Sequence, residues 1–269
     1  MEFNNLLYSS IEACLKAGVE ILKIYETKFD INYKEDKSPV TEADLKANEI
    51  IKQTLSKHNL PFFSEESKNE SFDVRKKWKY FWMIDPIDGT KEFIKKNGEF
   101  TVNIALIKDE NPILGVVYAP ATGELYFGCP LNGAKKMNIT NPEFNYINNI
   151  SVFINNAKKI PFTKNDNQFS IVTGRCSLNN ATKDYIKKIQ SRYKSIKIIK
   201  LGSSLKICKV AEGHIQLYPR FHQTKEWDTA AAHAILKYSG GNILNSNNEE
   251  LRYNKKDIRN PNFIASLNI

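Results

Sequence analysis

The segment that most constrains the fold is Tyr80-Phe-Trp-Met-Ile-Asp-Pro-Ile-Asp-Gly-Thr90. Its first five residues, Tyr80 to Ile84, are apolar and rich in aromatic side chains, which is typical of a short buried strand. The apolar run ends at two carboxylates, Asp85 and Asp88, and a helix is predicted to begin near Thr90. The pattern therefore predicts a core strand that places acidic side chains at its end.

This acidic strand end has two interpretations. Two carboxylates and a backbone carbonyl turned toward one point would suit Mg²⁺, which prefers oxygen ligands. Gly89 would let the backbone approach a phosphate, and the N–H groups of the following helix would favour its charge. The alternative is an ordinary turn, because Pro-x-Asp-Gly is good turn chemistry without any function. The segment by itself does not decide between them.

Three further acidic positions lie outside that segment. Ser64-Glu65-Glu66-Ser67 follows two phenylalanines, and one of its glutamates could join a metal site, although a solvated loop is the commoner role. Asp228 is a candidate N-cap for a helix beginning at Thr229, and the same carboxylate could also face a site. Asp44 falls in the first turn of a predicted helix capped by Thr41, where the helix dipole stabilises an acid.

No competing catalytic motif is present in the sequence. G-x-S-x-G, H-E-x-x-H, Walker A and G-x-G-x-x-G are all absent. The four histidines do not pair at metal-ligand spacing, and a nucleophile pair of Cys208 and His214 is a weak alternative. Clustered carboxylates without a side-chain nucleophile point to hydrolysis by metal-activated water.

The composition favours a globular domain. The chain has 269 residues, of which 41% are hydrophobic and 11% aromatic, so it can bury a sizeable core. Its four cysteines contain no C-x-x-C pair, which argues against a zinc ribbon or a disulfide framework and fits a reducing compartment. No apolar run is long enough to span a membrane, and no secretory signal is recognisable. We expect a cytoplasmic protein without integral membrane contact; peripheral binding of the amphipathic N-terminal helix to the inner face of the cell membrane is left open.

The positive charge is dispersed along the chain. Lysine and arginine number 39 against 30 acidic residues, which gives a net charge of +9. There is no run of like charges and no arginine-rich stripe with interleaved aromatics, so a nucleic-acid partner is not expected. Such a charge would instead steer an anionic small molecule toward the protein.

Hydrophobic spacing predicts an α+β first half and an α/β second half. The predicted helices are Leu6–Tyr25, Ala43–Leu55, Ala181–Tyr193, Ser203–Glu212 and Thr229–Ser239. The predicted strands besides Tyr80–Ile84 are Phe100–Ile107, Ile113–Tyr118, Glu124–Phe127, Phe169–Thr173, Ile196–Leu201, His214–Tyr218 and Asn262–Leu267, with turns at Asn111-Pro112 and Thr122-Gly123. The polar stretch Lys135–Asn167 separates the halves. We predict a single domain over residues 1–269 with sub-domains of about 1–145 and 146–269.

In combination, the acidic motifs resemble the Mg²⁺-dependent, lithium-sensitive phosphatases of the inositol monophosphatase superfamily. The motifs that carry this resemblance are Glu65-Glu66, Asp85-Pro-Ile-Asp-Gly-Thr90 and Trp227-Asp228-x-Ala-Ala231. Five further stretches resemble the 3'(2'),5'-bisphosphate nucleotidase branch: Asp88–Phe93, Asn97–Ile104, Ile113–Pro120, Gly202–Lys206 and Leu217–Phe221. The resemblance covers essentially the whole chain. It is weakest over Lys135–Asn167 and at Thr173-Gly-Arg-Cys-Ser177, where relatives carry Ser-Arg-Ser-His.

The resemblance implies a five-layered αβαβα sandwich that hydrolyses adenosine 3',5'-bisphosphate to AMP and phosphate, a reaction linked to sulfate assimilation. It implies two or three Mg²⁺ held by Glu65, Asp85, Asp88, Asp228 and the backbone carbonyl of Ile87. Glu65, Asp44 and Thr90 would orient the water that attacks in line. The residues implied to contact the substrate are Asp88, Gly89, Thr90, Ser203, Lys206, Arg220 and Asp228.

Alternative functions remain open on the sequence. A phosphatase of the same superfamily that acts on inositol monophosphate or another small phosphate monoester is the nearest, although Lys91-Glu-Phe93 differs from the Thr-Asn-Phe usual in the inositol enzymes. A non-enzymatic nucleic-acid-binding protein is a remote alternative. The sequence leaves a monomer and a homodimer equally open.

Overall fold

The computed structural model describes residues 3–140, 150–162, 168–175, 178–193 and 195–267. These residues form a mixed α/β fold with one seven-stranded sheet, one five-stranded sheet and a two-stranded hairpin. The helices in this part of the chain are α1 (Phe3–Tyr25), α2 (Glu42–Leu55), α3 (Phe72–Arg75), α4 (Thr90–Ile94), α5 (Ile150–Asn156), α6 (Asn180–Gln190), α7 (Leu205–Ala211) and α8 (Trp227–Tyr238).

The first half of the chain builds the hairpin and the seven-stranded sheet. The hairpin is β1 (Ile31–Tyr33) with β2 (Pro39–Thr41). The larger sheet follows chain order: β3 (Phe62–Ser64), β4 (Tyr80–Asp88), β5 (Thr101–Lys108), β6 (Asn111–Ala119), β7 (Glu124–Cys129), β8 (Gly133–Asn138) and β9 (Lys158–Ile160). Only β3 and β4 run parallel in this sheet, so their carboxyl ends meet at one edge.

The second half builds the five-stranded sheet, in the order β11-β10-β12-β14-β13. Its strands are β10 (Phe169–Thr173), β11 (Ile196–Lys200), β12 (Leu217–Arg220), β13 (Gly241–Asn245) and β14 (Phe263–Leu267). Strand β10 runs parallel to β11 and β12, whereas β14 is antiparallel to both of its neighbours. The parallel strands and their intervening helices confirm the predicted α/β character of this half.

The sheets and helices form five layers. Alternate side chains of β4 face the two hydrophobic cores on either side of the seven-stranded sheet. Trp82 and Ile84 belong to the core beneath α1 and α2, whereas Phe81 and Met83 belong to the core around α7 and α8. That second core continues onto the five-stranded sheet through Val172. Helix α6 packs on β12 with Ile186 buried, and forms the outer layer. The predicted αβαβα sandwich is confirmed.

Several predicted boundaries were wrong. Strand β4 does not stop at Ile84 but continues through Asp88, because a register shift between Asp85 and Asp88 lets Asp88 pair with Thr101. The turn before β6 is Asp109-Glu110, which adopts φ of 45° and 65°, and not Asn111-Pro112. Pro112 lies within β6, where an irregularity in the pairing with β5 accommodates a residue that has no N–H group.

Two predictions for the second half were also wrong. The strand predicted over His214–Tyr218 is β12, which begins three residues later along the chain, because its pairing with β14 runs from Leu217 to Arg220. Helix α8 begins at Trp227 and has Glu226 at its N-cap, so Asp228 is not the cap. The Asp228 carboxylate instead accepts the backbone N–H of Lys225 at 2.9 Å, from within the first turn.

The stretch Lys135–Asn167 contributes to the first sheet instead of only separating two halves. Strand β9 pairs antiparallel with β8, and Ala134 lies opposite Ile160. Residues 141–149 and 163–167 lie outside the described part of the chain. The seven-stranded sheet therefore includes residues up to Ile160, and the division into sub-domains stays a prediction.

Helix α8 is held against the seven-stranded sheet at two glycines. A Cβ atom on Gly115 would lie 2.0 Å from the Ala231 carbonyl oxygen, and one on Gly128 would lie 2.8 Å from the Ile235 Cα. Both are far inside van der Waals contact with backbone atoms, which cannot rotate away. These glycines therefore set the depth at which α8, with Asp228 in its first turn, lies on the sheet.

We expect Gly115→Ala to lower the free energy of unfolding by about 3 kcal/mol, because α8 lies between two sheets and cannot move aside. Urea unfolding of the purified variant measures this. Gly174→Ala is the control, since its Cβ would meet nothing closer than an Arg220 guanidinium nitrogen at 3.5 Å. Equal stability of Gly115→Ala and the wild type would contradict this packing.

Candidate active site

The carboxylates of Glu65, Asp85 and Asp228 converge at one end of the seven-stranded sheet. One oxygen from each lies within 4.8 Å of the others. The parallel pairing of β3 and β4 explains why Glu65 reaches Asp85: Ser64 pairs with Ile84, and the Glu65 N–H donates to the Ile84 carbonyl at 3.2 Å. Helix α8 brings Asp228 from the opposite side. We call these three residues, with Asp88, the acidic cluster.

Burial and the repulsion between neighbouring carboxylates raise the pKa values of the three aspartates of the acidic cluster. Asp85 is 1% exposed, and its pKa is raised by burial first and then by Glu65 and Asp88. Burial and the charge of Asp88 raise the pKa of Asp228 to about 8. Burial also raises the pKa of Asp88 to about 6, against the lowering effect of Lys206. Four acids packed this closely would be stabilised by positive charge among them.

Two polar atoms on the paired strands β4 and β5 have no hydrogen-bond partner in the described residues. The Asp85 Oδ1 and the Asn103 Nδ2 are both buried without a hydrogen bond. Asp85 and Asn103 pair directly across β4 and β5, so their side chains lie on the same face of the sheet. The carboxylate oxygen is a ligand for a hard cation, and the amide is a donor for an anion or a water. The site thus fits an Mg²⁺ ion together with a phosphate.

Asp44 and Thr90 lie together beside the carbonyl of Ile87. The Thr90 Oγ1 is 3.2 Å from the Ile87 oxygen and 3.4 Å from the Asp44 Oδ1. The other carboxylate oxygen of Asp44 accepts the N–H of Thr41 at 2.8 Å and its hydroxyl at 2.6 Å. Asp44 is therefore locked at the start of α2 with one oxygen turned toward Thr90. The predicted role of this pair in orienting water stays a prediction.

The β1–β2 hairpin covers the acidic cluster, which the sequence did not indicate. The Lys34 Nζ lies 3.2 Å from the Glu65 Oε1 and also donates to Glu66. Asp36 pairs with Lys225 at 3.2 Å across the same opening. Lys34 thus contacts both glutamates, but only the Glu65 carboxylate converges with Asp85 and Asp228 among the described residues. The segment 30–38 gave no signal because it has the composition of an ordinary polar loop.

A cleft of about 350 Å³ opens beside the acidic cluster, between the two sheets. Six of the seven residues implied to contact the substrate line it: Asp88, Gly89, Ser203, Lys206, Arg220 and Asp228. Thr90 does not line the cleft and instead lies beside Asp44. The cleft lining therefore contains both carboxylates, Asp88 and Asp228, and basic side chains, Lys206 and Arg220, which suits a ligand that carries negative charge at two places.

Lys206 and Arg220 form the basic part of the cleft lining, which we call the basic end. Lys206 is 8% exposed and donates to the Ser203 carbonyl, and its Nζ lies 5.6 Å from the centre of the Tyr218 ring. Burial lowers the pKa of Lys206 to about 8 in spite of Asp88. The Arg220 Nε is buried without a partner in the described chain. A phosphate placed here would accept hydrogen bonds from the Arg220 Nε and from the Lys206 donors that Ser203 does not use.

An ion pair joins the two sheets across the cleft mouth. Arg175, just after β10, forms two hydrogen bonds to the carboxylate of Glu99, just before β5. Glu99 also accepts the Gly202 N–H at 2.7 Å. Arg175 belongs to the stretch where the resemblance was weakest, and Cys176 and Ser177 lie outside the described residues. The pairing joins distant segments, so no local pattern could have predicted it.

The weak alternative of a cysteine nucleophile is not supported. Cys208 is fully buried, and burial raises the pKa of its thiol well above the ordinary value. His233 is also buried and bonds Tyr253 at 2.8 Å, as expected for a packing residue. None of the described helices is both long and apolar enough to cross a membrane.

Comparison with known proteins agrees with this geometry. A sequence model of the inositol monophosphatase family matches residues 3–268. The 3'(2'),5'-bisphosphate nucleotidase CysQ of Buchnera aphidicola is 39% identical over 257 residues, which cover 93% of this chain and 89% of that protein. The protein of the same name from Escherichia coli K12 is 38% identical, over 93% of this chain and 95% of its own.

Solved structures agree as well. The crystal structure of CysQ from Bacteroides thetaiotaomicron, 41% identical, matches with a TM-score of 0.89 over 99% of this chain and 98% of that one. The Thermotoga maritima IMPase, 25% identical, matches with a TM-score of 0.71 over 96% and 90% of the two chains. With its acidic cluster, its layered fold and these relatives, the chain belongs to the inositol monophosphatase family.

Proposed function

We propose that this protein is a Mg²⁺-dependent phosphatase that hydrolyses adenosine 3',5'-bisphosphate to AMP and phosphate. The observation that carries the proposal is a cleft whose lining contains Asp88 and Asp228 of the acidic cluster together with Lys206 and Arg220. A nucleotide bisphosphate has two phosphates, one for the acidic cluster and one for the two basic side chains. The relatives named 3'(2'),5'-bisphosphate nucleotidase CysQ support the same substrate, and their name accords with a role in sulfate assimilation.

The acidic cluster would hold the metal. Its ligands are proposed to be the carboxylates of Glu65, Asp85, Asp88 and Asp228 and the carbonyl of Ile87, for two or three ions. Bound Mg²⁺ neutralises phosphate charge and lowers the pKa of water. Lys34 and Lys225, which lie 3.2 Å and 3.9 Å from the Glu65 carboxylate, place further positive charge at the rim.

The chain's own residues would orient the reactants. Glu65 and the Asp44–Thr90 pair would accept the protons of a water and direct its lone pair toward phosphorus. Asp44 can keep this orientation because two hydrogen bonds from Thr41 fix its carboxylate. Phosphoryl transfer has a loose transition state, so positioning and charge stabilisation provide most of the catalysis.

The basic end would hold the phosphate that is not cleaved. Arg220 presents a planar fork with an unpartnered Nε, which suits a bidentate contact with phosphate. Lys206 adds a buried cation whose hydrogen bond to the Ser203 carbonyl leaves two further donors. A substrate with one phosphate would leave these cations unsatisfied, so the site should favour a bisphosphate.

The first test compares two substrates with the wild-type protein and Mg²⁺. We expect kcat/KM for adenosine 3',5'-bisphosphate to exceed that for inositol 1-phosphate by about 100-fold, which equals about 2.7 kcal/mol of transition-state binding. Phosphate release at matched substrate concentrations, far below KM, measures the ratio. A chelator should abolish both activities, and excess Mg²⁺ should restore them.

The other outcomes separate the parts of the proposal. A preference for inositol 1-phosphate would contradict the nucleotide substrate and leave the metal site intact. Activity on neither compound, together with Mg²⁺-induced stabilisation against heat, would indicate another phosphate ester. Full activity after exhaustive removal of metal would overturn the proposed chemistry.

A further inference from the structure

Three buried polar side chains form a chain of hydrogen bonds behind the acidic cluster. The Ser204 Oγ lies 2.9 Å from the Thr101 Oγ1 and donates to the Asn103 Oδ1 at 2.8 Å. All three residues are 3% exposed or less. Ser204 has a single hydroxyl proton, which Asn103 accepts, so Thr101 must be the donor to Ser204. The chain of bonds therefore has one direction, from Thr101 through Ser204 to Asn103.

This chain joins the two sheets at the catalytic end. In the pairing of β4 with β5, Thr101 lies opposite Asp88, and Asn103 lies opposite Asp85. Ser204 comes from the other half of the molecule, immediately before α7. Its backbone N–H also interacts with the Asp88 carboxylate. Ser204 is thus attached by its side chain to the neighbours of both aspartates and by its backbone to one of them.

The segment that Ser204 anchors also carries the basic end of the cleft. Ser203 adopts φ of 46°, a left-handed conformation that is unfavourable for serine and that needs support from its surroundings. Lys206 follows in the first turn of α7 and donates back to the Ser203 carbonyl. Gly202 is packed against Glu99, where a Cβ would lie 2.7 Å from a backbone oxygen. The position of Lys206 therefore depends on how residues 202–204 are held.

We propose that Ser204 is a positioning residue whose hydroxyl fixes the separation between the acidic cluster and Lys206, and so makes the enzyme select substrates with two phosphates. This inference rests on the proposed function. A bisphosphate must contact the acidic cluster and Lys206 at the same time, so a shift of Lys206 relative to the cluster weakens its binding. A monophosphate needs only the acidic cluster, so the same shift leaves its binding nearly unchanged.

The test is Ser204→Ala with two substrates, adenosine 3',5'-bisphosphate and adenosine 3'-monophosphate. We expect kcat/KM to fall about 30-fold for the bisphosphate, mainly through KM, and less than about 3-fold for the monophosphate. Thr101→Val removes the donor to Ser204 at equal size and should lower the same ratio in the same direction. Thr101→Ser keeps the hydroxyl and should retain the wild-type ratio.

Ser10→Ala is the matched control, because Ser10 is fully buried and donates to the Leu6 carbonyl at 2.8 Å, far from the cleft in α1. It should change neither substrate's kinetics. Equal losses on both substrates in Ser204→Ala and Thr101→Val would overturn the inference, because general destabilisation acts on both alike. If Ser204→Ala does not fold, Thr101→Val decides the matter. A wild type inactive on the bisphosphate would overturn the proposed function itself.

Discussion

Asp85→Asn is expected to lower kcat by about 10³-fold or more, equal to about 4 kcal/mol of transition-state stabilisation, without loss of the fold. The substitution keeps the side-chain volume and removes one negative charge. Asp85 is the most buried member of the acidic cluster, its Oδ1 has no hydrogen-bond partner in the described residues, and one of its carboxylate oxygens lies within 4.8 Å of Glu65 and Asp228. A neutral amide at this place would bind a divalent cation far more weakly. Phosphate release at saturating substrate over a range of Mg²⁺ concentrations measures the effect.

The same variant is expected to keep its stability in the absence of metal, although it loses activity. Without metal, Asp85 experiences burial and the charges of Glu65 and Asp88, all of which disfavour its ionised form. The asparagine variant should therefore be as stable as the metal-free wild type or more so, by about 1 kcal/mol. Addition of Mg²⁺ should raise the Tm of the wild type and leave that of the variant unchanged. Thermal unfolding with and without Mg²⁺ tests both statements.

Asp73→Asn is the matched control, because Asp73 is an exposed acid on α3 whose ion pair in the described chain is with Lys76. It should keep wild-type activity and the wild-type response to Mg²⁺. Near-normal turnover of Asp85→Asn at high Mg²⁺ would contradict the assignment of Asp85 as a metal ligand. A large loss of stability without metal would contradict the view that this carboxylate is retained for function.

Arg220→Ala is expected to raise KM for adenosine 3',5'-bisphosphate about 100-fold and KM for adenosine 3'-monophosphate less than about 3-fold. The guanidinium lines the cleft without being one of the proposed metal ligands, and its Nε has no partner in the described chain. Its loss should therefore affect the phosphate that is bound and not the phosphate that is cleaved. Initial rates over a range of both substrates give the two KM values.

Two variants make this result specific. Arg220→Lys keeps the charge but loses the planar fork, and should recover only part of the affinity. Arg259→Ala is the control for a lost surface cation, because Arg259 is exposed and pairs with Asp257 at 2.6 Å, outside the cleft lining. Equal KM changes for both substrates in Arg220→Ala would refute a role at the second phosphate.

Local sequence motifs predicted much of the fold and the residues of the acidic cluster. A buried aromatic strand ending in Asp85 and Asp88 was recognisable because apolar runs and turn residues act within a few positions of the chain. Helix α2, with Asp44 locked by Thr41, followed the rules for helix starts in the same way. Even the error in placing Asp228 at an N-cap was one of position within a single turn.

The sequence by itself thus determined the element types, the acidic residues and the family to which they belong. Only the tertiary structure decided which of Glu65 and Glu66 joins the cluster, since that depends on how β3 pairs with β4 and where α8 places Asp228. It also decided the Arg175–Glu99 bridge and the bonds from Thr101 through Ser204 to Asn103. These contacts join residues about 75 to 100 positions apart. The packing of the two sheets around α7 and α8 determines which of these residues meet, and no local sequence pattern predicts that.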